Sequence, residues 1–464
     1  MSTAVSATTI LPGDLLVRDH FLAVPLDHSD PDGSSKIDLF VRELVQASKA
    51  SDEQLPCLVY LQGGPGFPSG RPTCPPSGWQ KAALAQNTRV LLLDQRGTGR
   101  STPVTAQSLA ALGSPADQAA YLTHFRADSI VEDCEAIRRE LAGGRKLTLL
   151  GQSFGGFCIL TYLSTHPESI ERALFTFGLA PVGKAADEVY TATYKRMVER
   201  NRRFYERYPQ DIELIRGMAK ALHATPQELP RGGTLTVRRL LQLGLLLGSA
   251  SGFESLHDLL ELARNADGTL AAPLPDTFLL AVEAAQQQFE TNPIYWLLHE
   301  SIYCDGPAAT SGPEGGATHW AAERVQNALG ADWDYTSRLE EGAEPINLTG
   351  EMVYSWMGED YAWLRNLKPV AEILAAKDDW PKLYNPTKLS DEACPPVAAC
   401  VSYEDIYVER EFSEATARML GPKGRMRAKL WITNEFQHSG LRDQPKEVFE
   451  RLMAMAKGEV AIPS

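Results

Sequence analysis

Lys146-Leu147-Thr148-Leu149-Leu150-Gly151-Gln152-Ser153-Phe154-Gly155-Gly156 runs a short apolar stretch into Gly-x-Ser-x-Gly, and the next residues, Phe157 to His166, carry a helical pattern closed by Pro167. Strand, sharp turn and helix in that order hold a serine at the tip of the turn with its hydroxyl pointing outward. Glycines two before and two after the serine leave room for the strand and helix backbones to approach. Ser153 is therefore the candidate nucleophile, set against the plainer reading of a glycine-rich strand-to-helix turn.

Composition narrows the setting. In 464 residues the hydrophobic share is 44% and the charged share 22%, values of a globular protein long enough for two or three domains. Forty-five basic residues against 59 acidic ones leave a net charge of -14 without a basic run, which argues against nucleic acid or an anionic membrane as partner. Met1 to Pro12 lacks a basic stretch followed by an apolar one, and Leu240 to Gly248 is far shorter than the ~20 residues of a membrane span. Seven scattered cysteines contain no Cys-x-x-Cys pair, so neither a metal site nor a disulfide framework is expected, and the cytoplasm is the expected compartment.

Outward from the serine, the chain alternates between strand and helix. Asp19 to Arg42 predicts two strands around the turn Asp27–Gly33. Pro56 to Leu61 and Arg89 to Leu93 predict buried strands, followed respectively by Gln62-Gly63-Gly64-Pro65-Gly66 and by the structural turn Asp94 to Ser101, in which Asp94 and Arg96 can bracket neighbouring loops. Gly97-x-Gly99 lacks the third glycine of a dinucleotide site. Asp128 to Leu141 reads as an amphipathic helix with Ser129 and Glu132 as a capping box, and Ala173 to Phe177 as one more strand. Such alternation predicts an α/β fold with a mainly parallel sheet. From about residue 182 to 386 the periodicity turns helical, as in Val189–Tyr208 and Leu235–Leu247, with a loop at Gly306–Gly316. Strands return at Val397–Tyr403 and Arg427–Thr433, with helices at Arg410–Leu420 and Glu447–Lys457. The expected organisation is a sheet domain in two pieces, 1–181 and 387–464, and an inserted helical cap, 182–386, over the carboxyl edge of the sheet, where open α/β sheets bind ligands.

A serine hydroxyl needs an imidazole to take its proton and a carboxylate to orient that imidazole. Of nine histidines, His438 alone lies just beyond a strand of the carboxyl-terminal segment. Asp405 follows the preceding strand and is favoured as the acid over its neighbour Glu404, which points to the other side if the chain stays extended. The consecutive glycines after Leu61 offer backbone N–H groups to a developing oxyanion.

Taken together, Gln62–Gly66, Asp94–Ser101, Gly151–Gly156, Glu404–Val408 and Asn434-Glu435-Phe436-Gln437-His438-Ser439-Gly440-Leu441 resemble the prolyl aminopeptidase (proline iminopeptidase) family of α/β-hydrolase serine peptidases, particularly its larger members. The resemblance implies an α/β-hydrolase fold, no cofactor, and release of an amino-terminal proline from small peptides. It implies a triad of Ser153, Asp405 and His438, with the Gly64 and Phe154 N–H groups as oxyanion hole. Gln62 departs from the histidine that smaller members carry before the two glycines. Two cap motifs, Trp296–Tyr303 and Thr349–Tyr354, further imply that Glu300 and Glu351 hold the substrate's amine, against the alternative that each is a helix-edge glutamate paired with arginine. The rival functions are an esterase or amidase acting on small neutral substrates, and a binding protein that keeps the fold without turnover.

Overall fold

A computed structural model describes residues 4–308, 316–422 and 428–460. Nine strands form the main sheet among the described residues: β1 Ala4–Leu11, β2 Leu15–Pro25, β3 Lys36–Gln46, β4 Cys57–Leu61, β5 Arg89–Asp94, β6 Leu147–Gln152, β7 Ile170–Thr176, β10 Val397–Ser402 and β11 Ala428–Thr433, in the order β1-β2-β3-β5-β4-β6-β7-β10-β11. The first three pair antiparallel and β3 runs antiparallel to β5, while every pairing from β5 to β11 is parallel. A second, two-stranded sheet, β8 Gln227–Glu228 with β9 Thr234–Leu235, lies within the helical segment between β7 and β10.

The apolar runs at β4 and β5 are strands buried on both faces, and their alternation sorts the core into two layers. Leu58, Tyr60, Val90 and Leu92 face the helices Gly78–Ala85 and Pro445–Lys457. Val59, Leu61, Leu91 and Leu93 face Ala127–Leu141 and Phe154–Thr165, and this layer continues without a break into the cap through Tyr190, Leu240 and Trp296. The cap therefore shares one hydrophobic core with one side of the sheet.

Several local expectations need correction. Glu132 and Ser129 do not form a capping box: the helix begins at Ala127, Arg126 at its N-cap makes no side-chain cap bond, and Glu132 pairs with His166 at 2.8 Å instead. Leu235–Leu247 is not one helix. Leu235 ends β9, Thr236 caps a short helix Val237–Leu241, and Gln242–Gly248 tightens to 3-10 geometry; within it Gly244 lies so close to Thr349 that a Cβ would stand 2.3 Å from its carbonyl. A strand, β1, occupies the small polar start of the chain. The Gly306–Gly316 loop falls largely on residues 309–315, and the start of the Arg427–Thr433 strand on residue 427; both lie outside the described residues. No helix among the described residues is long and apolar enough to cross a membrane.

Asp94 and Arg96 tie the framework. Asp94 is fully buried and accepts from Ser69 N, Arg100 N and both ends of the Arg71 guanidinium, at 2.7–3.1 Å, which pins the loop beyond Gly66. Arg96 makes a bidentate pair with Asp133 at 2.7 and 2.6 Å and donates to the Leu26 and His124 carbonyls, joining the antiparallel strands to the helix Ala127–Leu141. Removing one partner of a buried pair strands the other's charge. Asp133→Ala is thus expected to cost roughly 3–5 kcal/mol, read as a lowered urea midpoint, and Asp133→Asn less. A loss below about 1 kcal/mol in Asp133→Ala, the scale of an exposed pair, would contradict this assignment.

Candidate active site

Ser153 follows β6 directly and heads the helix Phe154–Thr165 with φ 53° and ψ -124°. A non-glycine residue in the left-handed region is strained, and the surroundings hold it there. Its N–H donates to the Thr176 carbonyl at 3.0 Å, and its carbonyl accepts from Gly156 N at 2.7 Å. The approach is so close that a Cβ at Gly155 would stand 2.0 Å from the Leu61 carbonyl, and one at Gly178 2.1 Å from the Ser153 carbonyl.

His438 and Asp405 come from the two turns beyond β11 and β10. His438 Nδ1 lies 2.8 Å from Asp405 Oδ2, both side chains being buried. Asp405 Oδ1 accepts from the N–H groups of Tyr407 and Val408 at 2.8 and 3.1 Å, so the carboxylate is fixed before it meets the ring. Glu404 points away and pairs with Arg203 of the cap helix Ala186–Arg207 at 2.5 Å. The Tyr407 ring packs edge-on against His438, with centroids 4.8 Å apart.

Ser153 and His438 line one cavity of about 300 Å³, together with Gly63, Gly64 and Glu351. A Cβ at Gly63 would stand 3.0 Å from the Ser153 Cβ, so this glycine lets the loop lie directly on the serine. Gly64 holds φ 135°, and Phe154 opens its helix, where the first N–H groups have no intrahelical acceptor. Gln62 accepts from the Tyr60 hydroxyl at 2.5 Å, and its carbonyl accepts from the Gln95 amide at 3.1 Å; these bonds support the loop where a histidine was the alternative.

The two cap glutamates part company. Glu351 lies deep in the cavity wall with part of its surface open to the cavity; it accepts one bond, from the Tyr295 hydroxyl at 2.9 Å. Burial pushes its carboxyl up to about 7, against the opposing pull of His438. Glu300 is absent from this cavity's lining. Its oxygens accept from Ala321 N and Ala322 N, each at 3.0 Å, and so cap the helix Ala321–Leu329, whose own N-cap residue Trp320 has no side-chain acceptor. Glu351 thus faces the cavity of Ser153, while the oxygens of Glu300 are engaged by a helix terminus. Burial raises Glu300 to about 7 as well, with the backbone N–H groups pulling the other way.

One residue of the site escaped the sequence reading. Gln152 donates from its amide nitrogen to the His438 carbonyl at 3.0 Å and accepts from the Thr176 hydroxyl at 2.8 Å, so the residue before the serine holds the loop that carries the histidine. A polar side chain at the end of an otherwise apolar strand was the available signal.

Comparison with known proteins agrees with this architecture. The α/β-hydrolase fold model matches residues 56–229. A proline iminopeptidase of Aeromonas sobria is 45% identical over 436 residues, 94% of this chain and 95% of its own. One from Aspergillus aculeatus is 34% identical over 454 residues, 97% and 95% of the two chains. Among solved structures, a proline iminopeptidase of Mycobacterium smegmatis aligns with TM-score 0.41 at 12% identity, covering 95% of this chain and 100% of that one. With identity at these levels along almost its whole length, and with the matching sheet domain, the chain belongs to the proline iminopeptidase family of α/β hydrolases.

Proposed function

We propose that the protein is a serine exopeptidase that releases an amino-terminal proline from small peptides through an acyl-enzyme on Ser153, with residues 182–386 as the cap that closes the amine end of the site. The observation that carries this reading is Glu351, a carboxylate open to the cavity that also holds Ser153 and the His438–Asp405 pair. An unpaired buried carboxylate is costly to a fold unless a cation meets it. A peptide's amino terminus is such a cation, and the phenyl rings of Phe67 and Phe289 beside Tyr295 give an apolar corner for a pyrrolidine ring.

In this reading His438 takes the Ser153 proton as the oxygen attacks the prolyl carbonyl, and Asp405 steadies the imidazolium. The oxyanion accepts from the Gly64 and Phe154 N–H groups. The proton passes from His438 to the departing peptide amine, leaving a prolyl ester on Ser153. His438 then draws a proton from the water that attacks the ester and returns it to Ser153 Oγ as the acyl bond breaks and proline leaves.

Three outcomes test the proposal. Prolyl chromogenic amides with a free amino terminus should be cleaved at least a hundredfold faster than N-blocked ones, the scale of a lost buried charge contact, and Ser153→Ala should abolish both rates. Equal rates on free and blocked substrates would point to the esterase or amidase reading.

Glu351 must be ionised to hold the amine. The ratio of kcat/KM for a prolyl amide to that for a neutral ester should therefore rise with pH through about 7. In Glu351→Gln the ratio should be low and flat, mainly through a raised KM.

The same carboxyl should be visible in stability. Its folded-state value is raised from 4.5 to about 7, so the folded protein keeps a proton the unfolded chain has lost, and stability falls as pH rises across that window. Glu351→Gln should raise the urea midpoint at pH 8, by the equivalent of up to roughly 3 kcal/mol, and leave it near wild type at pH 4. A gain at both pH values would mean that the charge is not the cause.

A further inference from the structure

The cavity around Ser153 has an asymmetric charge pattern. Besides His438, the charged side chains among its described lining residues are Glu351 and Arg442; most of the other polar lining is neutral glutamine amide. Arg442 is exposed, whereas Glu351 is only partly so. Arg442 belongs to the short helix Gly440–Asp443, four residues past the histidine. That helix is held in place by Ser439, whose hydroxyl accepts from Ala250 N at 3.0 Å and donates to Asp443. The carboxylate next to Arg442 in sequence is thus engaged elsewhere. Among the described residues, Arg442 has no carboxylate within ion-pair distance. Its charge acts on the hydroxyls of both Tyr60, below the oxyanion loop, and Tyr407, against the His438 ring. The guanidinium thus lines the same cavity as Ser153 and Glu351.

We propose that Arg442 binds the terminal carboxylate of a short substrate, so that the cavity selects zwitterionic di- and tripeptides, with the amine at Glu351 and the carboxylate at Arg442. This rests on the aminopeptidase reading above. With the amine at Glu351 and the scissile carbonyl at Ser153, the rest of the chain extends to the exposed part of the lining, where Arg442 stands. In a dipeptide the carboxylate lies one residue beyond the scissile bond, about 3.3–3.6 Å of extended chain, and a tripeptide adds one more such step. A long arginine side chain spans that difference, and its planar fork suits a carboxylate. Longer peptides carry their carboxylate past it.

The test uses Pro-Gly, Pro-Gly amide and Pro-Gly-Gly, with released proline measured for the whole enzyme. In the wild type, kcat/KM for the Pro-Gly acid should exceed that for its amide about tenfold, the scale of a charge-assisted hydrogen bond, and 0.5 M salt should shrink the ratio. Arg442→Gln should bring the acid-to-amide ratio to about one and remove its salt dependence. Arg442→Lys should keep an intermediate ratio, and Arg442→Glu should invert it. The side chain is exposed, so these variants keep the fold, and a common melting temperature verifies that. A wild-type ratio of one with proline still released, or a ratio that survives Arg442→Gln, overturns the role of Arg442 alone. No proline from any of the three peptides overturns the aminopeptidase reading and this one with it.

Discussion

The left-handed backbone at Ser153 is the constraint around which the molecule is assembled. A serine at φ 53° costs of order 1–3 kcal/mol, and nothing local to the turn offsets that. What offsets it is contact at backbone distance: the helix after the serine sits on the Leu61 carbonyl through Gly155 and on Gly178 through Gly156, and the Ser153 N–H is tied to β7. Each of those approaches fails with a single added methyl. The strands β4, β6 and β7 must therefore be adjacent and parallel before the hydroxyl can be presented, which is the arrangement their register gives. Strain at the nucleophile and order in the sheet are the same fact seen at two scales.

Buried carboxylates of the framework and beside His438 are met by donors. Asp94, Asp133 and Asp405 are buried, and each has its oxygens met by arginine, histidine or peptide N–H. Glu300 is met by a helix terminus. Glu351 alone among the carboxylates discussed accepts one phenolic hydroxyl and leaves its other oxygen toward open space. Burial raises its carboxyl to about 7, and a cationic ligand in the cavity would offset that cost.

How much of this was legible in the sequence follows from the range of the interactions. The sheet strands, the serine turn and the places of Asp405 and His438 were readable because each sits at the end of an apolar run, a signal carried by a few consecutive residues. The Leu235–Leu247 error arose because apolar residues all round give the same pattern in a helix as in a packed 3-10 segment. The helix-capping contacts of Glu300 were not legible for a similar reason. Its partners are the N–H groups of a helix whose N-cap, Trp320 at φ 59°, cannot cap itself, and no local pattern shows that need. β1 was missed because small polar residues form an edge strand only when β2 is there to pair with it.

Gln152 and Gly248 show how the far parts are brought into register. The His438 carbonyl accepts from Gln152, one residue before the serine, and the His438 N–H donates to the carbonyl of Gly248, in the cap, at 3.1 Å. The peptide units flanking the histidine thus bridge the sheet domain and its cover. Gly248 cannot gain a side chain, since a Cβ there would stand 2.0 Å from the Tyr407 ring, which itself packs on the imidazole. A cap that swung away at this point would withdraw the acceptor from His438 N–H and the support from Tyr407 together, and the histidine would lose its place. Any opening at this point is thus coupled to the placement of the base.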